Sequence, residues 1–181
     1  MKRAMILINV LSAVVSICSA FGYHLTHFSV LESIAITALT VFCHLSLRFI
    51  IGIIIGKVGR KRINSSRRWF VVKSWEKTLY DKLQVKKWKK HIPTYDPGEF
   101  SLESHTLQEI IHNTCVSELV HEIIVLFSFL PILLSIPFGA FPVFLITSVL
   151  AACFDCIFVV LQRYNRPRLM NLINKQTKRS S

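Results

Sequence analysis

Positive charge is missing from two stretches of this 181-residue chain, Gly22 to Glu32 and Pro137 to Ala140, although the chain carries 22 lysines and arginines elsewhere. Acidic residues are scarce as well, at 10, and leave a formal net charge of +12. The five cysteines (Cys18, Cys43, Cys115, Cys153 and Cys156) are scattered, and none stands in metal-ligand spacing with a histidine. That excludes a disulfide framework and a zinc site as expectations. There is no Gly-x-Ser-x-Gly nucleophile elbow and no glycine-rich cofactor loop, which removes the serine-hydrolase pattern and gives no support to an interfacial methyltransferase. No metal and no bound cofactor are expected.

What is abundant is apolar surface, gathered in long blocks: 52% of residues are hydrophobic and the mean hydropathy is +0.48. A hydrocarbon core of about 30 Å needs about 20 apolar residues at 1.5 Å each. Four blocks meet that need, at about residues 4–23, 33–56, 119–136 and 141–161. The first is too long, and too weakly marked by small residues, to read as a cleaved signal peptide. The fold class is therefore an all-α integral membrane protein with four transmembrane helices, forming a single membrane domain over 1–181. A second copy could complete so small a bundle as a homodimer.

The cations set the orientation. Two precede the first span (Lys2 and Arg3), thirteen lie from Lys57 to Lys90, six follow from Arg163, and Arg48 sits within the second span. Positively charged loops stay on the cytoplasmic side. Both termini, the segment 57–118 and the tail 162–181 are thus placed in the cytoplasm, as expected of a multi-pass membrane protein. A one-sided charge of this size suits anionic lipid headgroups or a phosphorylated substrate, and no nucleic acid is expected.

From Lys57 to His91 basic residues alternate with large aromatics, as in Arg67-Arg68-Trp69-Phe70 and Lys86-Lys87-Trp88-Lys89-Lys90. Trp75, Leu79 and Leu83 recur at i, i+4 and i+8 between lysines, the pattern of a helix lying in the membrane interface. Pro93-Thr94-Tyr95-Asp96-Pro97-Gly98 breaks this segment. A new helix is expected from Ser101, where Ser101 and Ser104 both offer caps. Gly52 and Gly56 form a small-xxx-small pair suited to close helix packing, and Pro131 is expected to kink the third span.

Chemistry concentrates at the head of that span. From His112 the chain reads His-Asn-Thr-Cys-Val-Ser-Glu-Leu-Val-His-Glu and runs directly into apolar residues. On a helix, Glu118 and His121 lie about 60° apart on one face, which puts a carboxylate and an imidazole together at the water–lipid boundary. Either a solvated helix end or a functional pair accounts for them. Arg48 and Asp155 each lie about 12 Å inside the basic boundary. A lone charge at that depth costs about 2.5–3.5 kcal/mol, so the two are expected to form a structural ion pair. The loop histidines His24 and His27 with Glu32 are too loosely spaced for a metal site. His91 and Asp96 match a His-x-x-x-x-Asp acyltransferase pattern, but two residues at a fixed gap match easily by chance.

Three pieces in order, Trp88-Lys89-Lys-His-Ile-Pro93, Glu118-Leu-Val-His121 and Gln162-Arg-Tyr-Asn-Arg-Pro-Arg-Leu169, resemble the glycosyl-4,4'-diaponeurosporenoate acyltransferases of Gram-positive bacteria. The resemblance covers about Trp69 to Leu172, and its last motif is the specific one. It implies transfer of a fatty acyl group onto a sugar hydroxyl of a glycosylated carotenoid acid, the last step of staphyloxanthin biosynthesis, or onto a related glycolipid. The implied partners are membrane lipid, a lipidic glycoside acceptor and a fatty acyl donor, expected to be acyl-CoA. On this reading His121 is the general base and Glu118 its partner. Trp88, Lys89, Tyr164, Asn165, Arg166 and Arg168 bind substrate. The rival reading is a non-catalytic scaffold that gathers partner enzymes on anionic lipid through its basic, aromatic segment.

Overall fold

A computed structural model describes residues 2–92 and 97–180. Asp96, and with it the His91–Asp96 pattern and the break at 93–96, lies outside the described residues. The described residues form seven α-helices, α1 (Lys2–Thr26), α2 (Ser29–Arg62), α3 (Ser74–Lys82), α4 (Val85–Trp88), α5 (Leu107–Phe127), α6 (Ser135–Phe138) and α7 (Phe141–Ser180), and no strand. Four helical stretches are long and apolar enough to cross a membrane: Lys2–Thr26, Ser29–Arg62, Leu107–Phe138 and Phe141–Lys178. The protein is an all-α, four-span membrane protein. Each helix runs past its apolar block into the charged residues beside it, because backbone hydrogen bonding continues wherever no breaker intervenes.

Two compact units divide the chain, one comprising residues 1–51 and 124–154, the other 52–123 and 155–181. In the first unit the usual burial pattern is inverted. Ser12, Ser19, Thr40, Ser128 and Ser148 are buried, whereas Ile17, Phe21 and Leu25 are about two-thirds exposed. This is the surface of a protein solvated by lipid, where small polar residues face the neighbouring helix. Asn9 and Ser46 exchange hydrogen bonds at 3.3 Å, and Ser16 donates to the Ala35 carbonyl at 3.1 Å, so both contacts cross from α1 to α2. The connection between these helices is only two residues long and has His27 at φ +53°.

Pro131 does more than kink the third span. α5 ends at Phe127, a 3-10 stretch follows over Leu130–Leu134, and α6 completes the crossing. A proline cannot donate to the carbonyl four residues back and its ring crowds it, so the α-helical ladder stops there. The turn into α7 places Gly139 and Ala140 at φ +65° and +50°. Pro167, by contrast, sits inside α7 without ending it.

Two local expectations are corrected in the second unit. The helix leading to the third span starts at Leu107, not Ser101: Ser101 to Ser104 form a turn, and the Thr106 hydroxyl and Glu109 carboxylate reciprocally take each other's backbone N–H. This capping box satisfies two N-terminal amides at once and outcompetes the earlier serines, which have no acidic residue three positions on. Nothing among the described residues lies within 4 Å of a Cβ built on Gly52 or Gly56, so among those residues the pair makes no close helix contact.

On α3 the apolar stripe Trp75, Leu79 and Leu83 is exposed while Glu76 and Tyr80, on the other face, are buried. The amphipathic stripe is thus turned away from the protein, the orientation that an interfacial helix requires.

Candidate functional site

The second unit is held together by an ionic cluster. Glu118 on α5 is fully buried, and its two oxygens are taken by separate guanidinium groups one turn apart on α7, Arg163 and Arg166. Arg163 reaches on to α3, where its Nε and Nη2 bind the two oxygens of Glu76 at 2.7 and 2.9 Å. It also donates to the Trp69 carbonyl at 3.1 Å. Tyr80 donates its hydroxyl to Glu76 at 2.7 Å, and the Lys73 amide caps the same carboxylate at 3.2 Å. Arg166, only 1% exposed, donates to Thr114 Oγ1 at 3.0 Å and to the Phe70 carbonyl at 2.8 Å, and its guanidinium stands over the Phe70 ring. Two carboxylates and two arginines thereby tie α3, α5, α7 and the 68–70 turn to one another. Planar guanidinium forks suit this bidentate bridging, whereas a lysine offers a single point charge.

The charges shift accordingly. Burial pushes the Glu76 carboxyl up, but the Arg163, Tyr80 and Lys73 hydrogen bonds outweigh it and hold the group at about 2. Burial, reinforced by the neighbouring Glu76 carboxylate, raises the Tyr80 hydroxyl above its ordinary range.

His121 does not pair with Glu118. Its Nδ1 lies 2.9 Å from Oδ1 of Asp155, a residue 1% exposed, and its ring stacks on Phe158 at 4.7 Å between centroids. Glu118 is committed to arginines, so the α7 carboxylate takes the imidazole in its place. Nε2 has no partner among the described residues, and the side chain is 21% exposed. An imidazole fixed at one nitrogen by a buried carboxylate and open at the other is the arrangement of a general base. The separation of Glu118 and Asp155 by 37 positions explains why spacing alone could not choose between them. Arg48, in the first unit, donates to the Ala151 carbonyl at 3.2 Å and lies over the Phe154 ring.

A second cluster forms around Tyr164 of α7. Lys89 donates to Asn165 Oδ1 at 2.8 Å and stands 5.1 Å from the centre of the Tyr164 ring. Arg168 lies 4.1 Å over the same ring and donates to the Tyr164 hydroxyl. Neither cation has a carboxylate partner among the described residues. Burial, and then the nearby Arg168, lower the Lys89 ammonium from its ordinary value. Trp88 is occupied locally, donating its indole N–H to the Leu83 carbonyl at 2.9 Å. Of the expected binding residues, then, Lys89, Tyr164, Asn165 and Arg168 come together, while Arg166 is spent on the buried ionic cluster.

Sequence reasoning passed over two residues that matter here, Glu76 and Glu122; Arg163 stood in the specific motif, but its carboxylate partners were not named. Glu122 takes the indole N–H of Trp69 at 2.9 Å and lines a cleft of about 510 Å³ with Trp69, Trp75, Val160 and Arg163. The one available signal was their sign and number: with 10 acids in the chain, those at the ends of spans are candidates for arginine partners.

Fold and site together define a multi-span membrane protein with a carboxylate–imidazole pair and a cationic cluster along one long helix. A model of the glycosyl-4,4'-diaponeurosporenoate acyltransferase (CrtO) family matches residues 66–175, more than half of the chain, and the chain belongs to that family. At the level of the family it is an acyltransferase of carotenoid biosynthesis. No curated protein and no solved structure matches it.

Proposed function

We propose that this protein transfers a fatty acyl group from a thioester donor to a sugar hydroxyl of a glycosylated carotenoid acid or a related glycolipid, at the cytoplasmic face of a bacterial cell membrane. The observation that carries the reading is the Asp155–His121 pair with its open Nε2. In the reaction, Nε2 takes the proton of the acceptor hydroxyl as its oxygen attacks the thioester carbonyl. The tetrahedral intermediate collapses with loss of the thiolate, which receives that proton from the imidazolium. Asp155 holds the tautomer and stabilises the positive ring, a contribution of about 10²–10⁴ in rate for base catalysis of this kind.

The donor is best matched by acyl-CoA. Arg168 follows Asp155 by 13 residues of α7, about 20 Å at 1.5 Å per residue. An extended phosphopantetheine arm bridges a comparable length, so phosphates held by Lys89 and Arg168 leave the thioester near His121. Tyr164 and Asn165 position the two cations. The acyl chain and the polyene of the acceptor both partition into lipid, which meets the protein on the exposed apolar faces of its helices.

Replacing His121 with Ala should abolish acyl transfer from acyl-CoA by the purified protein in lipid, with the protein still inserted. Undiminished transfer would overturn the assignment, and lipid extracts of cells with and without the gene would identify the acceptor by mass.

A further inference from the structure

The cleft beside Trp69 has features that the acyl-transfer chemistry above does not use. Its polar wall consists of Arg68, Lys73, Glu76, Tyr80, Glu122 and Arg163. Glu76 and Arg163 are saturated by each other, by Tyr80 and by Glu118. Glu122 is different: Oε2 accepts the Trp69 indole N–H, and Oε1 has no partner among the described residues. The same indole hydrogen bond fixes Trp69 with its polar edge on the carboxylate, yet 63% of the residue stays exposed, and Trp75 beside the cleft is 60% exposed. A lipid anchor needs only the rings. A half-buried carboxylate with a free oxygen, held against one of them, asks for a hydroxyl donor.

We propose that this cleft binds the uncharged sugar of the glycolipid acceptor, with the pyranose C–H face against the indole rings and a sugar hydroxyl donating to Glu122 Oε1. The electron-rich ring face attracts C–H groups, and a carboxylate takes O–H donors more strongly than a neutral acceptor does. The cleft's size, about 510 Å³, falls within the ~300–1,000 Å³ typical of small-molecule sites. Its lining of three cations and two carboxylates offers donors and acceptors to several hydroxyls, and an acyl chain would leave the Glu122 carboxylate desolvated and unpaired. His121 and Glu122 are consecutive on α5, so a sugar seated on Glu122 enters the site from the adjacent face of the helix. The inference rests on the acyltransferase reading for the identity of its ligand, and defines Glu122 as a binding residue for the acceptor.

The test is equilibrium binding to the full chain in phosphatidylcholine nanodiscs, followed by tryptophan fluorescence. The probes are octyl glucoside below its micelle concentration, an octyl chain bearing an uncharged oligo-ether head, and dioctanoyl phosphatidate. Saturable binding of the glucoside alone is expected. Glu122→Gln still accepts the Trp69 N–H and keeps the fold, but should weaken glucoside binding roughly ten- to a hundredfold by removing the charged acceptor. Trp75→Ala, at an exposed ring with no hydrogen bond, should weaken it about tenfold. Equal binding of the ether probe reduces the cleft to an apolar interfacial pocket and overturns the proposal, as do preferential binding of phosphatidate or unchanged affinity in Glu122→Gln. A protein that transfers acyl groups yet binds no glucoside overturns this inference while the acyltransferase reading stands; one that binds glucoside but transfers nothing does the reverse.

Discussion

Glu118 and Arg166 meet with both side chains almost wholly removed from solvent, and a second arginine, Arg163, occupies the other oxygen of the same carboxylate. Removing one partner of such a cluster leaves an uncompensated buried charge, which costs about 3–5 kcal/mol. Glu118→Ala and Arg166→Ala should each lower the unfolding temperature of the purified protein sharply. Arg166→Lys should rescue little, since one ammonium cannot serve the Thr114, Phe70 and Glu118 acceptors together. Thermal unfolding in detergent measures both effects.

Asp155→Asn separates positioning from folding at the proposed base. The amide keeps the shape of Asp155 but cannot stabilise an imidazolium. The expected outcome is a fall in turnover of about 10²-fold or more with little change in KM for the donor. Steady-state kinetics in lipid would read the two parameters apart.

The Glu76 carboxyl, held at about 2 against an ordinary 4.5, makes stability fall with acid. A carboxyl whose folded value is depressed contributes stability in full above its unfolded value, and loses it as pH drops toward the folded one. Between about pH 4.5 and 2 the wild type should therefore lose stability that a Glu76→Gln variant, already lacking it, does not lose. Unfolding midpoints across that window give the comparison.

Lys89→Ala and Arg168→Ala should raise KM for acyl-CoA by about tenfold each while leaving kcat within a few-fold, because they bind phosphate away from the reacting carbonyl. Added salt should raise the wild-type KM in the same direction. An effect on kcat alone would place these cations elsewhere in the reaction.

Orientation can be read directly. A single cysteine introduced at Ala140, in a background without the five native cysteines, should react with an impermeant maleimide added outside intact cells. One at Ser181 should react only after the membrane is opened.

Much of the architecture was legible in the amino-acid order. Four apolar blocks of spanning length and the confinement of nearly all cations to the segments outside them are local properties, governed by hydrocarbon thickness, and they need no tertiary contact to be effective; the reciprocal Thr106–Glu109 cap was overlooked in favour of Ser101 and Ser104. The gathering of Lys89 with Tyr164, Asn165 and Arg168 was visible only through the motif that carries them. Which carboxylate serves which cation was not legible. Glu118, Glu76, Glu122 and Asp155 are chemically interchangeable acids, and Arg163 and Arg166 interchangeable bases, until packing brings α3, α5 and α7 together. Helix spacing put Glu118 beside His121; three-dimensional packing gave Glu118 to two arginines and His121 to Asp155, because a buried guanidinium must have its carboxylate close and a partly exposed imidazole can pair with whichever one remains.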